Sequence, residues 1–389
     1  MAMLGGASSL IAGYRLGWLQ RESRTETLVV TSASLAPQQV IQVVSSEKAM
    51  VSSFRPELVY ASSAPAVVTV YAQLLADSGP TIQQGSGFAV DRKGTIVTSA
   101  HVVTNAGTAS RPRAATHVYV EFPDGDRLSA RLVGWDISSD VAVLRIDPKQ
   151  HRLVPLPLGR ADRLVVGQPV AVIGSPFGVQ GSLVVGVVSA LGQSIPSLTS
   201  RYEVPDAIQL DTPLNHGNSG GPVLNQAGDV IGIVAQVRVD PGSTSPSLGY
   251  AIPIGIVRRS LSEILAHGQV RYAYVGVTTE DMTPGVAATL GYPRVRGALI
   301  DTVDAGSAAA RAGLRGGTKT TIVAGQEVTK GGDVIVAIAG VAVHGANDVT
   351  RIVAGQLRPG QVVVFTIVRG GRRMAVPVRL GVRPGDVNE

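Results

Sequence analysis

The sequence contains no cysteine, which removes disulfides, thiolate metal ligands and cysteine nucleophiles together. Charged residues are sparse, at 16%, so the chain lacks the self-repelling composition of a disordered protein. Aromatic residues make up only 4%, which leaves aliphatic side chains to fill the core and few rings on which nucleic-acid bases could stack. No phosphate-binding loop or metal-ligand cluster stands out, so no cofactor, no metal and no nucleic-acid partner is expected. Acidic residues are missing altogether between Asp348 and Asp386, where Arg351, Arg358, Arg369, Arg372, Arg373, Arg379 and Arg383 fall. Those arginines read as solvated strand and turn positions, with a patch for anionic lipid or an acidic partner as the alternative.

The N-terminal stretch is uncharged until Arg15, too short for the roughly 20 apolar residues of a spanning helix and without the leading positive charge of a signal peptide. Residues 1–20 therefore read as a membrane anchor or truncated signal segment, against a disordered tail. Residues 21–55 read as a spacer.

Glycine and proline are abundant, at 46 and 23 of 389 residues. From about residue 60 they punctuate short β-branched runs such as AVVTVYA, GTIVTSA, THVYVEF, DVAVLRI and PVAVIG. Turns recurring about every ten residues mark an all-β barrel or sandwich rather than helices. IVRRSLSEILAHGQ (256–269) predicts a helix with Ile256, Leu261, Ile264 and Leu265 on its inner side and Gly268 near its end. The pattern divides the chain into a β domain over 56–262 and a smaller α+β domain over 270–385. Within the latter, RGGTKTTIVAGQEVTK (315–330) reads as a surface loop, with an extra hairpin as the alternative.

LDTPLNHGNSGGPVLNQ (210–226) surrounds Ser219 with Gly217, Gly220 and Gly221, a concentration of glycine that calls for backbone shapes closed to other residues. A serine hydroxyl becomes a strong nucleophile only beside a base and an orienting carboxylate. Among six histidines, His101 has the firmest context, at the end of the strand GTIVTSA; Asp140 heads the strand VAVLRI. The chain order His101, Asp140, Ser219 is that of chymotrypsin-type double barrels. His216, within the serine loop, reads as non-catalytic.

These motifs, with QGSGFAV (84–90), VGQPVAVIGSPFG (166–178) and GVVSALGQ (186–193), resemble the HtrA/Deg serine proteases across nearly all of residues 60–260. The distal part, from YVGV (274–277), resembles a single PDZ domain. The resemblance implies a mainly β fold, a chymotrypsin-like double β-barrel followed by a small α+β PDZ domain, and a serine endopeptidase acting on unfolded polypeptides in protein quality control. Its triad would be His101, Asp140 and Ser219, with an oxyanion hole at Gly217, Asn218 and Ser219. Pro213, where basic-specific relatives need a carboxylate, and Leu214 imply a pocket for small or medium aliphatic side chains. Tyr274, Val275, Gly276 and Val277 would receive the C-terminal carboxylate of a peptide, Gly276 by allowing its close approach; a plain core strand is the alternative. The family further implies an extracytoplasmic setting (periplasm or cell envelope), membrane association through the N-terminus, and a homotrimer packed through Phe54, Tyr60 and AVVTV. The short segment 74–84 speaks against a larger cage. A catalytically idle PDZ chaperone or scaffold is the competing function.

Overall fold

The computed structural model describes residues 54–76, 79–106, 112–200, 202–238, 248–292, 295–323 and 325–385. The anchor and almost all of the spacer expected from the sequence lie outside them.

A short helix α1 (Pro56–Ser63) leads into two closed six-stranded barrels. The first is built from β1 (Val67–Ala76), β2 (Gly79–Ala89), β3 (Thr95–Ser99), β4 (His117–Glu121), β5 (Arg127–Asp136) and β6 (Val141–Arg145), with a one-turn helix α2 (Ala100–Val103) after β3. The second comprises β7 (Pro169–Gly174), β8 (Ser182–Pro196), β9 (Glu203–Asp211), β10 (Pro222–Leu224), β11 (Val230–Arg238) and β12 (Leu248–Pro253). Each barrel is lined by the aliphatic residues that the composition demands: Val70, Ile96, Val120 and Leu144 in one, Val172, Leu210, Val223 and Ile231 in the other, none more than 1% exposed. Burying each such side chain contributes about 1.5–3 kcal/mol. A third cluster, including Phe88, Val97, Ile173 and Ile233, joins the barrels.

The AVVTV stretch differs from expectation. Ala66, Val67, Val68, Thr69 and Val70 are all at most 4% exposed and belong to this chain's own interior, so they offer no wet apolar surface to a second copy. Phe54 and Tyr60 pack, partly buried, against the inter-barrel cluster.

Helix α3 (Ile254–His267) starts straight after Pro253 and ends at Gly268, whose φ of 75° lets its N–H cap the Ile264 carbonyl. Its buried face is Ile254, Val257, Ser260 and Ile264, a 3.6-residue stripe one step round from the expected one; Leu265 is 44% exposed.

The distal domain holds β13 (Ala273–Tyr274), β14 (Val277–Met282), α4 (Pro284–Leu290), β15 (Gly297–Val303), α5 (Ala308–Ala312), β16 (Lys319–Val323), β17 (Gln326–Lys330), β18 (Val334–Ile338), β19 (Val341–Ala342), α6 (Ala346–Gln356), β20 (Val362–Arg369), β21 (Arg372–Arg379) and β22 (Gly381–Val382). Its main sheet runs β14-β15-β18-β20-β21 with β19 beside β18, so β14 is an edge strand. The insert is a hairpin, β16 paired with β17, and Val323 and Val328 anchor it against Met282 and Leu290.

The acid-free arginine stretch is not uniformly solvated. Arg369 pairs with buried Asp333, Arg351 with Asp348, Arg358 with Glu263 on α3, and Arg383 is 6% exposed. Three of these tie the distal domain to the barrels and α3, Arg351 through Asp206 on β9 at 4.0 Å. Arg383 lies over the Tyr202 ring at 4.4 Å, and Arg358 reaches Glu263 at 3.3 Å.

Candidate active site

The turn between β5 and β6 carries Asp140, whose φ of 54° is unusual for a residue with a side chain. Its carboxylate holds His101 at two points: His101 Nδ1 lies 2.7 Å from Oδ2, and the His101 backbone N–H donates to Oδ1 at 2.8 Å. Asp140 is buried, while 24% of the His101 side chain remains open. Burial draws the His101 pKa down, but the charge of Asp140 and its hydrogen bond outweigh this, leaving it above the ordinary value.

Ser219 comes from the loop between β9 and β10 and is fastened to the first barrel. Its carbonyl accepts from the Ser86 N–H at 2.8 Å. Gly220 lies so near Ser99 that a Cβ on it would stand 2.7 Å from the Ser99 nitrogen, two residues before His101. The Ser219 hydroxyl makes a long hydrogen bond of 3.5 Å to the Ala235 carbonyl and, among the described residues, none to His101.

Gly217 has a φ of 98°, and a Cβ there would sit 2.4 Å from the Ser175 carbonyl oxygen. Only glycine fits. Among the described residues no protein acceptor takes the N–H of Gly217 or of Ser219, so both remain available to a ligand oxygen. Asn218 departs from expectation: its N–H donates to the Asn215 carbonyl at 3.1 Å and its side chain is buried against Gly174. Behind the loop, Ser86 Oγ donates to the Gly217 carbonyl at 2.6 Å and accepts from the Ser175 N–H at 2.9 Å. Sequence reasoning passed over that brace, although Ser86 stood within QGSGFAV.

Pro213 is exposed, whereas Leu214 is 1% exposed and packs into the second barrel's core, close against Gly249. Leu214 therefore does not line an open cavity here. His216 is exposed, and its carbonyl accepts from the Phe177 N–H at 3.2 Å.

In the distal domain, Tyr274 pairs with Gly381, Val275 is buried, and Val277 opens the edge strand β14. The Val275 carbonyl accepts from Ala309 N–H at 2.8 Å and the Gly276 carbonyl from Asp304 N–H at 3.0 Å. Gly276 is required for a reason other than ligand approach, because a Cβ would lie 2.2 Å from the Ser307 Cβ. A cleft of about 610 Å³ runs between the barrels and α6, lined by Ser139, Arg259, Tyr272 and Arg351 among others. Among the described residues no group of His, Asp or Glu is arranged to hold a metal ion.

A double barrel with a serine loop facing an Asp-braced histidine defines the trypsin-like peptidases, and the family model for the trypsin-like peptidase domain matches residues 85–233. The chain belongs more narrowly to the HtrA-type serine proteases. It is 30% identical to the solved "HtrA-type protease AlgW with tripeptide", covering 85% of this chain and 98% of that one at a TM-score of 0.68. Two curated relatives are named "Probable periplasmic serine endoprotease DegP-like". The one from Hahella chejuensis is 35% identical over 304 residues, 78% of this chain and 58% of its own length. That from Rhizobium meliloti is 32% identical over 306 residues, 79% and 55% respectively. The chain thus spans little more than half the length of these curated relatives.

Proposed function

We propose that the protein is a serine endopeptidase that hydrolyses unfolded or misfolded polypeptides through an acyl-enzyme. The observation that carries this is the His101–Asp140 pair beside Ser219, together with the two unpartnered N–H groups of the serine loop. Ser219 Oγ attacks the scissile carbonyl carbon while His101 Nε2 accepts its proton. Asp140 keeps the other imidazole proton on Nδ1 and stabilises the imidazolium. The carbonyl oxygen, now negative, is received by the N–H groups of Gly217 and Ser219. The proton on His101 passes to the leaving amine, and water, activated by the same histidine, releases the acid.

With Pro213 and Leu214 in place of a carboxylate, the primary pocket takes small or medium aliphatic side chains. The distal domain is proposed as a PDZ domain that pairs the open edge of β14 with the C-terminal strand of a peptide. The Gly276 N–H, which has no protein acceptor among the described residues, is the group proposed to receive the terminal carboxylate. The solved relative with a tripeptide supports this reading. The periplasmic relatives support an extracytoplasmic location. Among the described residues no helix is long and apolar enough to cross a membrane; attachment through the first 20 residues and assembly as a homotrimer complete the proposal.

One observation favours the idle-scaffold reading: the Ser219 hydroxyl turns toward Ala235 rather than His101. Digestion of casein by the purified protein and by Ser219→Ala, with light scattering on the same samples, separates the two. Cleavage that needs Ser219 supports the protease, and equal inactivity of both supports the scaffold.

A further inference from the structure

Four buried groups lie behind the triad, and the mechanism above uses none of them. Asp136, 3% exposed, ends β5 four residues before Asp140. Its Oδ1 accepts the backbone N–H groups of Ser138 and Ser139, at 3.0 and 3.2 Å. Its Oδ2 accepts the hydroxyls of Ser260 on α3 and of Tyr272, both at 2.6 Å. Tyr272 Oη also lies 2.6 Å from Ser139 Oγ. Since the phenol gives its proton to the carboxylate, Ser139 Oγ is the donor in that contact. Every lone-pair direction of the buried carboxylate is thereby satisfied.

Tyr272 belongs to neither barrel. It lies in the connection between α3 and β13, and its carbonyl accepts from the Arg383 N–H at 3.0 Å, which ties it to the end of the distal domain. We infer that the Tyr272 hydroxyl is a positioning group for catalysis, holding the Ser138–Ser139 turn so that Asp140 keeps its left-handed backbone and its double grip on His101. The inference rests on the triad reading given above.

The turn needs such a hold. Asp140 occupies a left-handed backbone region that a residue with a side chain keeps only where its surroundings over-determine it. Ser139 is the residue immediately before it, and its side chain is bonded to Tyr272. The other groups around the phenol are the guanidinium groups of Arg259 and Arg383, 4.7 and 4.9 Å from the ring centre. Burial, then the Asp136 charge, pushes the Tyr272 pKa well above its ordinary value, so the hydroxyl stays a donor across the working pH range.

Tyr272→Phe in the full chain removes one oxygen and keeps the ring beneath both guanidinium groups. Because the hydroxyl does not touch substrate, kcat should fall about tenfold while KM changes by less than about twofold. A looser Asp140 stabilises the imidazolium less, so the acidic limb of kcat/KM should move to lower pH. Ser139→Ala should reproduce both effects, and the double variant should be no worse than either single one. The His101 imidazole can also be titrated by NMR, its signal assigned by its loss in His101→Ala, and the same downward shift is expected in Tyr272→Phe. That measurement needs no turnover, so it decides the inference even if casein is not cleaved and the triad reading fails. Unchanged kcat and an unchanged His101 titration in Tyr272→Phe, with only a lower unfolding temperature, would reduce Tyr272 to packing and overturn the inference.

Discussion

His101 is bound to Asp140 through both its ring and its backbone, at 2.7 and 2.8 Å, so one carboxylate both orients the base and fixes its main chain. The neutral imidazole is the working form. Because Asp140 raises its pKa despite burial, kcat/KM should climb with pH through a midpoint above the ordinary histidine value. Stability runs the other way. A histidine whose pKa is raised by folding adds stability below its unfolded pKa and loses it as pH rises through the folded one. Asp140→Asn should lower kcat by about 10⁴-fold, move the rise of kcat/KM to lower pH and remove the stability that the raised His101 pKa adds at low pH; pH–rate profiles and thermal unfolding across the same range check this.

Ser219→Ala should lower kcat by on the order of 10⁶-fold. The hydroxyl's one hydrogen bond, to Ala235, is long, so the unfolding midpoint should move by less than about 2 °C. Initial rates on casein and a calorimetric scan measure the two effects.

Gly217→Ala should be worse than its size suggests. The added methyl meets the Ser175 carbonyl oxygen at 2.4 Å in a backbone conformation unfavourable to alanine. The loop must shift, and withdrawal of its N–H should reduce kcat by about 10²–10³-fold with little change in KM. Steady-state kinetics on a peptide substrate would show it, and equal kcat in the variant would remove Gly217 from the oxyanion hole.

Product termini from a denatured substrate should carry Val, Ala or Ile before the cut. Of the two residues proposed for the pocket, Pro213 is exposed and Leu214 is closed into the barrel core. Mass spectrometry of the fragments decides, and a majority of Lys or Arg would exclude the aliphatic pocket.

Arg369 grips the buried carboxylate of Asp333 with Nε and a terminal nitrogen, each at 2.6 Å. Arg369→Leu leaves that charge, among the described residues, with the Arg315 N–H alone and should destabilise the distal domain by about 3–5 kcal/mol. Urea unfolding followed by hydrogen exchange in β18 and β20 would locate the loss.

The double barrel was legible because its signals are local, glycine-bounded β-branched runs, and the strand-end contexts of His101 and Asp140 agree with the contact the two make. Leu265 was misjudged because a helix of 14 residues can present either of two adjacent stripes, and the contacts with β5 and β6 select one. Asn218 was misassigned because its N–H is spent on Asn215, a turn detail that residue type does not reveal. The arginine stretch looked solvated because its partners Asp333 and Glu263 lie far away in sequence. Tyr272 had no visible signal at all, since 136 residues separate it from Asp136.

Closed barrels have no edges, so among the described residues the larger sheets leave unpaired strand backbone at β14, at β21 and at the two-residue β19 of the distal domain. β21 is guarded: it carries Arg372, Arg373 and Arg379, and Pro377 interrupts its row of donors. β14, reading VTTEDM, has neither proline nor a positive charge. An edge open to an incoming strand is open equally to a copy of itself. Self-pairing of two copies of the chain should therefore begin at β14, where only the like charges of Glu280 and Asp281 oppose it.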